Sequence, residues 1–305
     1  DMSGLPESVE LVGTYSYNEH VRSHNMSIDA ARGFAYICGQ TYEGFRVVDI
    51  NNPENPDDIY FVYTEQIHDV FARQDTVYVA EGWRGTFSIH DLSNKNNPEL
   101  LARVEIPYNG YVHNIWSSED GKYVVTTEET EPMTVKIWSV EDLENIHVVG
   151  EYLGDNLVAH NAQVIGTRIF LSHYTYGMVI IDFSDPTDPV ESAHFDTFPQ
   201  HDDPSPPWLG NWGVFQYTEN GYVYGSDLDG LFTVMKYQKG LENGVIYGDV
   251  NEDQIVNAMD LEFLVIVVLT DQVLTEAQWT RADLNFDEVI NIMDIFHLTK
   301  LINNY

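Results

Sequence analysis

The run His160-Asn161-Ala162-Gln163-Val164 turns at Gly166 into Arg168-Ile169-Phe170-Leu171-Ser172-His173, and it opens the stretch, residues 158–199, whose reading decides the fold. After a loop at residues 174–177 come Met178-Val179-Ile180-Ile181-Asp182-Phe183, the turn Ser184-Asp185-Pro186-Thr187-Asp188-Pro189, and Glu191-Ser192-Ala193-His194-Phe195-Asp196. Four short runs rich in β-branched and aromatic residues, punctuated by Gly, Pro and Asp, are the pattern of a four-stranded antiparallel meander. One such sheet cannot bury both faces.

Repetition answers that need. The opening pair recurs as His24-Asn25, His68-Asp69, His113-Asn114 and His160-Asn161, with Asn211-Trp212-Gly213 in the matching place of a fifth copy. The spacing of roughly 45 residues is that of a four-stranded propeller blade. Further strands follow in each copy, among them Phe34-Ala35-Tyr36-Ile37, Val77-Tyr78-Val79-Ala80, Tyr123-Val124-Val125-Thr126 and Tyr222-Val223-Tyr224. The expectation is a mainly β chain, a five-bladed β-propeller with its core between blades.

The fifth copy runs out at Tyr237, one strand short, while Val9-Glu10-Leu11-Val12-Gly13-Thr14-Tyr15 has no blade of its own. It is similar to the fourth strands Ile146-His147-Val148-Val149-Gly150-Glu151-Tyr152 and Leu100-Leu101-Ala102-Arg103-Val104. This predicts that the amino-terminal strand completes the last blade, closes the ring and covers its edge. The other reading is a piece of a larger ring.

Composition narrows the partners. Among 305 residues, 14 basic against 49 acidic side chains give a formal charge of -35, which argues against nucleic acid or an anionic membrane surface and favours cations. Such an excess suits saline or calcium-containing surroundings, and equally a solvating surface. Cys38 is the only cysteine, so no internal disulfide forms, and its place in a predicted strand reads as a small buried hydrophobe. A chain beginning at Asp1 is what a processed export product would show. No apolar run is long enough to span a bilayer.

From Gly248 the periodicity changes, dividing the chain into a propeller at 1–239, a linker at 240–247 and a small helical domain at 248–305. Asp249, Asn251, Asp253, Asn257 and Asp260 place oxygen side chains at positions 1, 3, 5, 9 and 12 of a loop, with the Ile255 carbonyl at position 7. Asp283, Asn285, Asp287, Asn291 and Asp294 repeat it, with the Val289 carbonyl. This is the spacing by which a loop wraps oxygen ligands around Ca²⁺, so two ions are expected. The metal-free alternative is a helix-capping turn. Each loop runs into an apolar helical stripe: Leu261, Leu264, Val265, Val268 and Leu269 in one, Ile295, Leu298, Leu301 and Ile302 in the other.

These paired units, opening Gly248-Asp249-Val250-Asn251 and containing Ala282-Asp283-Leu284-Asn285, resemble a type I dockerin over residues 248–305. The resemblance implies an extracellular or cell-surface, calcium-loaded module with a cohesin-like or self partner, and Asp at position 12 is a feature of that family. Position 6, usually Gly, is Gln254 and Glu288. Partner-reading positions 10 and 11 are Ala258-Met259 and Ile292-Met293, apolar side chains that suit a partner, the propeller or self-assembly.

Gly177-Met178-Val179-Ile180-Ile181-Asp182 with its Asp-Pro turn looks like an LVIVD repeat. With the His pairs and Ser226-Asp227-Leu228-Asp229-Gly230-Leu231-Phe232, residues 20–236 are similar to the exported propellers called choice-of-anchor B. That resemblance implies location more than reaction.

Blade geometry would set His24, His68, His113 and His160 around the channel mouth, with Gln40, Glu81, Glu128, His173 and Asp227 nearby. Such a ring suits Zn²⁺ or another transition metal. A repeated His also suits an inter-blade hydrogen-bonding bracket. The loop at 200–210 emerges on the same face, and its Trp208, with Tyr108, Tyr111, Arg22 and Glu65, reads as a surface for sugar or peptide, or as a lid.

No Gly-x-Ser-x-Gly, no Cys with a placed His and no phosphate-cradling glycine loop occurs. The expected function is therefore a non-enzymatic extracellular binding or structural head, held to a scaffold, matrix or sister subunit by the tail. The alternative is a secreted polysaccharide hydrolase using Glu81 and Glu128 across the channel.

Overall fold

In the computed structural model the described residues are 1, 3–17, 23–39, 43–107, 110–130, 133–154, 158–199, 208–217, 221–237, 248–253, 255–270, 272–284 and 289–303. The chain is mainly β and divides into two compact units, Asp1–Thr218 with Val223–Met235, and Glu219–Tyr222 with Lys236–Tyr305.

Five antiparallel sheets follow one another along the chain, each with its strands in sequence order, as five propeller blades. Blade 1 holds β1 (Asn25–Asp29), β2 (Phe34–Cys38), β3 (Gly44–Asp49) and β4 (Asp57–Tyr63). Blade 2 holds β5 (Asp69–Arg73), β6 (Thr76–Ala80), β7 (Thr86–Asp91) and β8 (Glu99–Glu105). In blade 3 come β9 (Val112–Ser117), β10 (Tyr123–Glu128), β11 (Val135–Ser139) and β12 (His147–Tyr152), and in blade 4 β13 (Ala162–Ile165), β14 (Arg168–Ser172), β15 (Met178–Asp182) and β16 (Val190–Phe195). Among the described residues blade 5 has three strands, β17 (Asn211–Tyr217), β18 (Tyr222–Asp227) and β19 (Phe232–Lys236).

The core lies between blades. Tyr36, Phe45 and Val47 of blade 1 bury themselves against Val70, Val77 and Val79 of blade 2. Phe87 and Ile89 meet Ile115 and Trp138 one blade on, and Val125 and Ile137 meet Ile169 and Leu171 after that. Inner strands are buried on both faces while the outermost, such as β8, are largely exposed. Four blades carry a register shift at the same place, between their third and fourth strands, after Val47, Ile89, Ile137 and Ile180. An extra residue there increases local twist, which each blade needs to splay outward.

Polar brackets tie neighbouring blades. Asp69 accepts from Asn25 Nδ2 at 2.5 Å and from Asn114 Nδ2 at 2.6 Å, linking blades 1, 2 and 3, and Asn114 Oδ1 accepts from Ala162 N in blade 4. Cys38 is buried, its thiol donating to the carbonyls of Asn25 and His68, and burial pushes its pKa up.

The segment expected to be the closing strand takes a different form. Residues 8–16 carry no strand, so the anticipated ladder onto blade 5 is absent among the described residues. The segment is instead seated through side chains on blade 1, Tyr15 donating to Asp58 of β4 and the Arg46 guanidinium lying 3.2 Å over the Tyr17 ring.

In the small unit α1 (Ala258–Thr270), α2 (Glu276–Ala282) and α3 (Ile292–Asn303) bury Val250, Leu264, Ala282 and Leu298 together. Of the expected α1 stripe, Leu264 is fully buried and Leu269 is exposed, and Val267 takes the inward place. The side chain of Leu301 lies outside the described residues. The seven-residue α2 was not expected from periodicity. It is set by a capping box between Thr275 and Gln278. No helix among the described residues is long and apolar enough to cross a membrane.

Candidate metal sites and a ligand cleft

The four expected histidines sit at the start of the innermost strands and pass from blade to blade. His68 Nδ1 is 2.8 Å from the carbonyl oxygen of His113, His113 Nδ1 is 3.2 Å from that of His160, and His160 Nδ1 meets that of Trp212. A carbonyl only accepts, so all three imidazoles carry their proton on Nδ1, and their Nε2 atoms present lone pairs. His24 Nε2 lies 2.8 Å from His68 Nε2 and is the donor of that pair. Neighbouring rings lie close, with centroids 4.4, 4.1 and 4.3 Å apart from His24 to His160. Burial holds His68 down at about 4 and His160 at about 3, so both are neutral at physiological pH, and His113 is depressed likewise.

The carboxylate that joins them is Glu129, which sequence reasoning did not single out. Its Oε2 lies 3.5 Å from His113 Nε2 and its Oε1 3.7 Å from His160 Nε2. Tyr174, itself buried, donates its hydroxyl to Glu129 Oε1 and lays its ring 5.0 Å from that of His160. Tyr174 holds a left-handed φ of 46°, a conformation that costs a bulky residue on the order of 1–3 kcal/mol. Reciprocal bonds fix it there, Tyr174 N to Asn211 O and Asn211 N to Tyr174 O. Gly82, at the same station of blade 2, adopts φ 52° and bridges to Val112 in the same way.

The carboxylates chosen from sequence lie elsewhere. Glu81 is fully buried and accepts from Arg103 Nε and Nη2 and from Ser88, so it points outward into its own blade. Glu128 pairs with Lys136 Nζ at 2.8 Å, both side chains sealed from solvent. His173 packs beside Tyr176 in blade 4, with burial lowering it to about 4. Asp227 accepts from Asn211 Nδ2 at 2.9 Å. Gln40 lies outside the described residues.

An open cleft of about 540 Å³ lies over this centre, lined by Trp83, Tyr111, Glu129, Thr130 and Trp208. Trp83 is 70% exposed and packs 4.7 Å from Tyr111, while Trp208 stands 5.3 Å from Tyr174. Trp208 and Tyr111 thus belong to one surface. Glu65 pairs instead with Arg84, and Arg22, Tyr108 and residues 200–207 lie outside the described set.

The tail loops are built alike. Asp260 accepts from Asn251 N and Asn257 N at 3.1 and 2.9 Å, and Asp294 from Leu284 N and Asn291 N, both at 2.8 Å. Asn257 and Asn291 cap their helices, each accepting from the N–H of the methionine two residues on, Met259 and Met293. Asp253 N donates to Asp249 and Asn251, curling the first loop inward, and Glu252 takes the left-handed conformation at φ 66°. Asp249, Asp260, Asp283 and Asp294 are all buried. Burying two carboxylates per loop calls for compensating positive charge, which a divalent cation supplies, so these residues fit Ca²⁺. Ile255 and Val289, with Asn257 and Asn291, stand at the remaining described ligand positions. Gln254, Asn285, Asp287 and Glu288 lie outside the described residues.

Comparison with known proteins agrees with both halves. Residues 247–303 match the dockerin type I domain, and residues 24–62 and 172–197 match the LVIVD repeat. No curated protein is a significant sequence match. Among solved structures, a structural-genomics target protein from Lactobacillus plantarum is 12% identical with a TM-score of 0.53, covering 70% of each chain. A Bacteroides uniformis protein described as a 6-phosphogluconolactonase is 13% identical with a TM-score of 0.57, covering 71% of this chain and 68% of its own. At such identities the likeness is one of fold.

Proposed function

We propose, from a chain that carries LVIVD repeats and ends in a type I dockerin domain, that the protein is an extracellular binding head displayed on a scaffold, matrix or sister subunit through its tail. The propeller at 1–239 presents the cleft, 240–247 is the linker, and 248–305 holds two Ca²⁺ ions and the docking surface. Aromatic faces at Trp83, Tyr111 and Trp208 suit a sugar ring.

One observation carries this reading. Met259 at position 11 of the first loop is 64% exposed, and Ile292 and Met293 at positions 10 and 11 of the second are exposed as well, each on the first turn of a helix whose cap is a loop residue. Apolar side chains held out at equivalent stations by loop order are what a partner surface would read. Filling the loops with Ca²⁺ would lock those turns.

The hydrolase alternative is less favoured, since Glu81 and Glu128 are each committed to a cation within their own blade. Capture of the full chain by an immobilised cohesin panel, in Ca²⁺ and in EDTA, tests the reading. Capture in Ca²⁺ that is lost in EDTA and in a Met259→Asp/Ile292→Asp variant is expected. Capture indifferent to both, or none across the panel, would refute it.

A further inference from the structure

The imidazole ladder leaves one arrangement unexplained by bracketing alone. Backbone carbonyls hold the Nδ1 protons of His113 and His160, so two Nε2 lone pairs converge on the oxygens of Glu129 with no proton of their own to share. All three donor atoms lie within 4.8 Å of one another. His113 is 3% and His160 1% exposed, and His160 Nε2 is a buried atom with no hydrogen-bond partner. Lone pairs facing a carboxylate repel unless something positive sits between them.

We propose that His113 Nε2, His160 Nε2 and the Glu129 carboxylate bind one divalent transition-metal ion of the Zn²⁺ class, with its fourth position open to the aromatic cleft.

Five observations converge on it. Tetrahedral Zn²⁺ with bonds of about 2.0–2.2 Å sets its donors about 3.4 Å apart; the two carboxylate oxygens stand 3.5 and 3.7 Å from the two imidazole nitrogens and the ligand atoms all lie within 4.8 Å of one another, so the three side chains draw in to close on an ion. The outer shell has the form that metal-bound histidines take, each ring's other nitrogen on a carbonyl and the carboxylate bonded in turn, here by Tyr174. Tyr174 is kept in an unfavourable backbone conformation that places its hydroxyl there. Two nitrogens and one carboxylate are a borderline donor set, unlike the all-oxygen tail loops, so the two kinds of site select different ions. Three protein ligands leave room for a water or a ligand oxygen, and Glu129 itself lines the cleft with Trp83, Tyr111 and Trp208.

The test uses the full chain saturated with Ca²⁺, Zn²⁺ as the probe, and metal analysis after dialysis. Wild type is expected to retain one Zn²⁺ per chain beyond the Ca²⁺, and Co²⁺ in its place to give the strong visible absorption of a tetrahedral site. Glu129→Gln, which leaves the carbonyl brackets intact, should weaken Zn²⁺ binding by more than about 100-fold, and Tyr174→Phe by about 10-fold. Circular dichroism establishes that each variant is folded, and Tyr174→Phe serves if Glu129→Gln is not. Wild type that retains no Zn²⁺ in excess Ca²⁺, or folded variants that bind it as wild type does, would overturn the proposal. A failure of cohesin capture would leave it untouched.

Discussion

Tyr15 donates its hydroxyl to Asp58 at 2.7 Å just as Tyr152, on the outermost strand of blade 3, donates to Glu191 in blade 4. The parallel extends two residues back. A Cβ at Gly13 would lie 1.9 Å from the carbonyl oxygen of Pro53, and one at Gly150 2.0 Å from that of Pro186, in the matching turn. The amino-terminal segment thus meets blade 1 as the outer strand of a preceding blade meets the next, although it makes no ladder among the described residues. Tyr15→Phe is therefore expected to lower propeller stability by about 1 kcal/mol, the same as Tyr152→Phe, and Gly13→Val by more. Denaturant unfolding followed by tryptophan fluorescence measures all three. A silent Tyr15→Phe beside a costly Tyr152→Phe would show that the segment is not seated.

Asp69 makes the blade brackets pH-dependent. Burial pushes it up to about 7 against three donors, Asn25, Asn114 and the N–H of Val70, that pull it down. Its folded pKa lies above its ordinary 3.8, so the folded chain keeps a proton that the unfolded chain loses. That contribution is full below about pH 4, declines as pH rises, and is gone above about pH 7. At about 1.4 kcal/mol per unit, the stability of wild type relative to Asp69→Asn should fall by up to roughly 4 kcal/mol across that window. Denaturant melts of both proteins between pH 4 and 8 give the difference, in which other titrating groups cancel. A flat or rising difference would rule this out.

The blades were legible because their signal is repeated: Gly, Asp and Pro punctuation returns from blade to blade, and a histidine stands at the start of the inner strand in the first four, with Asn211 in the matching place of the fifth. The carboxylate beside the histidines was not. Glu81, Glu128 and His173 stand at the ends of second strands, but side chains alternate, and a one-residue step changes the face. The chain leaves its blade at the next residue, where Gly82 and Tyr174 bridge to the following blade, and Glu129 stands at that station. In blade 3 a bulge leaves His113 without a pairing partner, since Thr127 pairs with Asn114 and Glu128 with Val112. Nothing in composition marks such a bulge. α2 escaped because seven residues give too little periodicity, though Thr275 and Gln278 carried the capping signal.

Lys136 and Glu128 form a pair shut away from water, 1% and 0% exposed at the side chain. Removing one member leaves the other charge buried, so Lys136→Ala should cost about 3–5 kcal/mol, whereas a Lys136→Met/Glu128→Gln double variant of similar volume should cost far less. Equilibrium unfolding supplies the values. A double variant that costs as much as the Lys136→Met and Glu128→Gln single variants added together would show that the pair is not coupled.

Asp260 is the test of the tail. Its two oxygens already order the backbone of Asn251 and Asn257, so in the absence of Ca²⁺ they hold the loop through hydrogen bonds alone, against the repulsion of buried Asp249. Adding EDTA is expected to remove the helical circular-dichroism signal of α1 and α3 while the β signal of the propeller persists, because ligand binding to the folded form stabilises only the unit that binds it. Excess Ca²⁺ at 1,000 times Kd contributes about 4 kcal/mol to that unit. Asp260→Ala should remove the first site and reduce bound Ca²⁺ from two ions to one, and Asp294→Ala should do the same for the second. Helicity unchanged by EDTA, or full Ca²⁺ occupancy in Asp260→Ala, would mean that the caps alone hold these helices and that the buried carboxylates are not ligands.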